Sequence, residues 1–129
     1  MINFKQEPYR WQKKMNIIME NVNLEKIEFC NDNSILFSFL NSCDGKHYND
    51  LLCSSVWKFS EENNFEKGDE LPYFIYDVRM KKLEKYEIKA AFDYLKYGWD
   101  VPESNEYYLI CLDSGVVSIN LICGNVSIK

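Results

Sequence analysis

The sequence predicts an α+β fold: a mostly antiparallel β-sheet of about seven strands, with helices over about 8–20 and 84–97. Two observations predict it. Several runs have the two-residue period of a strand, as in "ILFSF" and "YFIYDV". The links between these runs are mostly hairpin-length and rich in Asn, Asp, Ser and Gly, which favours antiparallel neighbours.

The elements follow in order. In "PYRWQKKMNIIME", Pro8 suits a first helical turn, and Trp11, Met15, Ile18 and Met19 recur at helical spacing. In "LEKIEFCNDNSILFSFLN", two alternating runs flank Asn31-Asp32-Asn33-Ser34, a turn-forming cluster, so a hairpin is expected. "NSCDGKHYND" is a loop broken at Asp44-Gly45, and residues 51–59, "LLCSSVWKF", form a third strand. Residues 73–82 form a fourth, with Phe74, Tyr76, Val78 and Met80 on one face and Tyr73, Ile75, Asp77 and Arg79 on the other. Residues 60–72 join strands three and four as a long hairpin loop. In the second helix Ile88, Ala91, Phe92 and Leu95 share a face, and Gly98 stands where a left-handed cap is needed. The C-terminal part is strand broken at Asp113-Ser114-Gly115 and again at Gly124-Asn125, each break a hairpin turn. Val117, Ile119, Leu121 and Cys123 share one face between those breaks.

A chain of 129 residues is the size of one domain, 1–129, and can bury a core without staples. No apolar run approaches the roughly 18 to 20 residues that span a bilayer, and the polar start "MINFKQEPYRWQKK" has no signal core. The five cysteines are odd in number and have no C-x-x-C spacing, which fits free thiols in a reducing cytoplasm. The net charge of −5 argues against nucleic acid, whose binding needs clustered bases.

Catalytic signatures are missing. No phosphate loop, dinucleotide fingerprint or nucleophile elbow occurs. His47 is the single histidine, which excludes multi-histidine metal sites. Cys43, His47 and Cys53 could be imagined as metal ligands, or Cys43 and His47 as a nucleophile pair. A polar turn with an exposed histidine is the plainer account, since the fourth zinc ligand is not evident. No metal, no cofactor and no enzymatic activity are therefore expected.

The acidity is localised. Between Ser60 and Pro72, Glu61, Glu62, Glu66, Asp69 and Glu70 face one base, Lys67. A second acidic segment holds Trp99, Asp100, Glu103 and Glu106, with no base between Lys96 and Lys129. Aromatics supply anchoring area at interfaces and charge supplies steering. The eight acids Glu61, Glu62, Glu66, Asp69, Glu70, Asp100, Glu103 and Glu106, with Phe65 and Trp99 as anchors, form the expected partner-binding set. The alternative is that the acids only keep the loops soluble.

Small, acidic, mixed helix-and-sheet chains of this kind resemble bacterial toxin-immunity proteins of the polymorphic-toxin and contact-dependent-inhibition type. More narrowly, "LEKIEFCNDNSILFSF", then "LLCSSVWKF" and, after the acidic gap, "YFIYDV" look like the strand order of the YxiG-like family. The resemblance implies a cytoplasmic protein that binds and occludes a cognate toxin domain, often a basic nuclease. The runner-up expectation is a small-ligand or regulatory domain using an aromatic sheet face.

Overall fold

The computed structural model describes residues 15–63, 71–102, 105–114 and 117–129. Six strands, β1 Asn16–Cys30, β2 Ser34–Asn41, β3 His47–Asn63, β4 Tyr73–Lys82, β5 Tyr108–Asp113 and β6 Val117–Ile128, close into an antiparallel barrel in the order β1-β2-β3-β6-β5-β4. One helix among the described residues, α1 Lys85–Tyr94, is inserted between β4 and β5. The fold is α+β with an antiparallel sheet, as expected. Closure leaves no unpaired edge, because β1 bonds to both β2 and β4.

The closure depends on two long strands that bend. β1 pairs with β4 through Asn16–Leu24 and with β2 through Val22–Cys30. β3 pairs with β2 through His47–Cys53 and with β6 through Leu51–Asn63. Each bend holds a left-handed residue, Asn21 (φ 54°) and Ser55 (φ 54°), and each strand carries irregular register nearby. Opposite the second bend, a Cβ on Gly124 would meet the Ser55 Cβ at 3.1 Å, so a side chain there would crowd the bend.

The barrel interior is lined by apolar side chains. Phe37, Phe39, Leu24, Leu51, Ile75, Ile110, Leu112 and Ile119 are fully buried in it. A second core lies outside the barrel, where α1 packs Ile88, Ala91, Phe92 and Leu95 onto Leu109, Cys111 and Ile122. β5 is thus covered on both faces. That explains its nearly unbroken apolar run, "YLICLD". The expected face of Val117, Ile119, Leu121 and Cys123 does line the interior.

Several expectations need correction. Residues 16–20 of the expected first helix are strand, and residues 8–14 lie outside the described residues. The β-branched pair Ile17-Ile18 suits a strand, and pairing with β4 overrides the helical spacing. Among the described residues the strands number six, because Gly124-Asn125 does not turn: β6 runs through it, paired with β3 at Ser54–Asn125 and Val56–Cys123. The link between β3 and β4 is not a hairpin, since these strands are not neighbours in the barrel. β4 also changes phase. Ile75 and Val78 point inward, with Tyr73 and Met80 packed beside them, while Phe74 and Tyr76 are exposed and meet edge-to-face at 5.2 Å. The step of three coincides with Asn21, which sits between the pairs Glu20–Asp77 and Val22–Ile75. A left-handed residue rotates the ladder there, and β1 takes the same step between Met19 and Val22.

α1 is shorter than expected, and the left-handed residue that follows its C-cap Leu95 is Lys96, not Gly98. Lys96 has φ 60°, its N–H donates to the Asp93 carbonyl at 3.0 Å, and the Tyr97 N–H donates to the Phe92 carbonyl at 3.0 Å. This is a Schellman ending, completed by the edge-to-face contact of Phe92 and Tyr97 at 5.0 Å. A left-handed lysine costs about 1 kcal/mol relative to glycine. Lys96→Gly is therefore expected to raise stability by about 0.5–1 kcal/mol, read as a higher urea midpoint at unchanged slope.

Candidate functional site

α1 and the segment after it build the most distinctive surface feature. At the start of the helix the Glu84 N–H donates to Glu87 Oε1 at 2.9 Å, fixing the first turn. Leu83 donates to the Tyr107 carbonyl at 2.8 Å, which joins the ends of the inserted segment. The Tyr107 ring is fully buried, and its hydroxyl donates to the Pro102 carbonyl at 2.7 Å. Tyr107, Phe92, Tyr97 and Trp57 form one edge-to-face cluster with centroids 5.0–6.3 Å apart. Trp57 reaches it because the register slips between Val56 and Lys58.

Against this support lies a cleft of about 350 Å³. Its apolar floor is Ile88, Phe92, Tyr97 and Val101, and its rim is Lys89, Asp93, Trp99 and Asp100. Trp99 is 78% exposed, more than any other large apolar side chain among the described residues. Neither the Asp93 nor the Asp100 carboxylate has an ion-pair or hydrogen-bond partner among the described residues. Asp93 stands in the last helical turn, which contains no base, so helix dipole and carboxylate add at the same place.

Of the expected partner-binding set, Trp99 and Asp100 come together here. Glu106 pairs with Lys82 at 3.0 Å, and this bond raises the lysine's pKa. Glu61 and Glu62 are exposed strand residues at the end of β3, paired with Ile119 and Ser118, rather than loop residues. As strand neighbours they point to opposite faces. Phe65, Glu66, Asp69, Glu70 and Glu103 lie outside the described residues. Lys89, Asp93 and Tyr97 line the cleft but stand outside the expected partner-binding set. The i, i+4 spacing of Lys89 and Asp93 on one face of the helix was the available signal, while Tyr97 lies past the helix end.

Cys43, His47 and Cys53 do not form a cluster. Cys53 is buried in the barrel, Cys43 is exposed, and His47 Nε2 bonds Asp50 Oδ1 at 2.9 Å, which lowers the Asp50 pKa. No group of three or more potential metal ligands occurs among the described residues. All five thiols are free, and burial raises the pKa of Cys111. No helix among the described residues is long and apolar enough to cross a membrane.

A second polar patch lies on the outer face of β4, β5 and β6. Asp77 and Asp113 are cross-strand neighbours, and Arg79 bonds Asp77 at 3.0 Å. Burial raises the Asp113 pKa, against the lowering effects of Ser118 and Arg79. The fold therefore favours the protonated carboxyl. That contribution is fully present below the ordinary aspartate value of about 4 and is lost as pH rises through the raised value. Asp113→Asn keeps it at every pH. The variant is expected to melt higher than the parent at pH 7, with the gap closing below about pH 4.

The model of a "-like" family matches residues 17–129. The chain belongs to that family. Among solved structures, an uncharacterized protein from Neisseria gonorrhoeae is similar, with a TM-score of 0.65 and 22% identity over 88% of this chain and 95% of that one. At that identity the likeness is one of fold. None of the curated proteins matches the chain.

Proposed function

We propose that this member of the family is a non-enzymatic binding protein that docks a basic protein partner on its α1 side and acts by covering it, in the manner of a cytoplasmic toxin-immunity protein. The observation that carries this reading is Trp99, a large aromatic left 78% exposed beside two carboxylates with no described partner. An exposed aromatic next to a cleft is the usual anchor of an interface, and acids around it steer a cationic partner. The barrel interior is packed with buried apolar side chains among the described residues, which favours the surface as the place for recognition. A second reading, a small-ligand domain, rests on the size of the cleft, about 350 Å³.

The test starts with affinity capture at low and high salt. The captured protein is then purified and its association rate measured against the parent and Asp93→Lys/Asp100→Lys. Docking of this kind predicts an association rate at least about ten-fold lower for the variant and a steep fall with salt. Co-expression should also relieve growth arrest caused by the captured protein. An unchanged rate in the variant would remove the cleft from the interface, and absence of any growth effect would remove the toxin role.

A further inference from the structure

We infer that the α1 cleft is a receptor for a single arginine side chain presented by the partner. The inference rests on the docking reading above and specifies what that surface recognises. Its chemistry is that of a guanidinium pocket. Arginine is planar, stacks on aromatic faces and bonds carboxylates through a fixed fork of donors. The cleft offers both halves of that complement. Trp99 and Tyr97 supply aromatic surface, and Asp93 and Asp100 supply carboxylates without a described partner.

The helix adds a third element. Asp93 lies in the last turn of α1, where the carbonyl end of the dipole is negative and where no base is present. A carboxylate in that position is unfavourable for the isolated helix, and an incoming cation relieves it. The floor is apolar, through Ile88 and Phe92, which suits the methylene stem of arginine behind its charged head. Lysine fits less well, because a strongly hydrated ammonium gives up more water and has no planar face to stack. Among the described lining residues Lys89 offsets one of the two acids, which leaves one net negative charge for one cation.

The probe is a blocked tripeptide, acetyl-Gly-Arg-Gly-amide, compared with its citrulline and lysine counterparts. Citrulline has the same shape without the charge. Binding is followed through the indole N–H resonances of the three tryptophans, with Trp99→Phe assigning the relevant one. The arginine peptide is expected to shift the Trp99 resonance at millimolar concentration and to bind at least about ten-fold tighter than the citrulline peptide, the equivalent of 1.4 kcal/mol. Asp93→Asn/Asp100→Asn should remove that preference, and Lys89→Ala should tighten binding. Trp99 is exposed, so the substitutions leave the core intact.

Equal binding of arginine and citrulline peptides, or no shift at Trp99, overturns the inference. The two readings fail separately. If the peptide binds but no protein partner docks at Trp99, the docking reading fails and the pocket stands. If a partner docks through Trp99 but the arginine peptide neither binds the cleft nor competes, the pocket fails and the docking reading stands.

Discussion

Phe92→Ala is expected to lower stability by about 3–5 kcal/mol, a drop of roughly 10 °C or more in melting temperature. Phe92 is nearly fully buried and touches Trp57, Tyr97 and Tyr107 edge-to-face. Truncation removes the ring that the other three share, leaving Trp57 in contact with Tyr97 and Tyr107 around a gap. Their freedom to close the gap is small, because Trp57 is carried by β3, Tyr107 is held by its hydrogen bonds to Leu83 and Pro102, and Tyr97 by the helix ending. The loss is also directed. Phe92 is floor to the cleft and the contact for the Schellman ending, so the segment carrying Trp99 loses its seat. Phe39→Ala provides the control. It opens a cavity of similar cost inside the barrel, away from α1. At matched stability, Phe92→Ala is expected to lose partner binding and Phe39→Ala to keep it. Equal binding in the two variants, measured below both melting temperatures, would mean that the cleft does not need its aromatic support.

The elements that were legible in the sequence are those whose pattern is local. The turn at Asn31-Asp32-Asn33 announces itself through residues that tolerate left-handed geometry, and Asn33 does adopt φ 59°. The amphipathic period of α1 needs only its own residues, and Ile88, Ala91 and Phe92 are its buried face. Features that depend on distant partners were not legible. Ile17, Ile18 and Met19 satisfy both a helical and an extended spacing, and only the pairing of β1 with β4 decides between them. Gly124 reads as a turn, yet its role is to let β6 pass close to the bend at Ser55. The β4 faces depend on Asn21, more than fifty residues away in sequence, because one left-handed residue in a ladder shifts the phase of both strands. The site divides in the same way. Trp99 and Asp100 stand out as an aromatic and an acid in a loop, whereas Lys89 and Asp93 look like any solvated helix face until the loop is laid beside them.

Lys81→Met tests how the inserted helix is held to the barrel. Glu87 is 2% exposed, and its Oε1 accepts from the Glu84 N–H at 2.9 Å and from Lys81 Nζ at 3.2 Å. Oε2 is buried without a hydrogen-bond partner. The carboxylate thus ties the first turn of α1 to β4, and it depends on a cation to offset the loss of water. Removing the ammonium while leaving the carboxylate is expected to cost about 3 kcal/mol, the lower end for a broken buried pair because Lys81 is itself part-exposed. Replacing the carboxylate should cost less. In Glu87→Gln the amide oxygen can still accept from Glu84, and the amide N–H₂ needs no counter-charge. The double variant Lys81→Met/Glu87→Gln should then be more stable than Lys81→Met alone, by about 1–2 kcal/mol, since no buried charge remains. Urea unfolding of the four proteins at constant slope gives the cycle. Additive losses would show that the two side chains act independently, and that α1 is held by its apolar face alone.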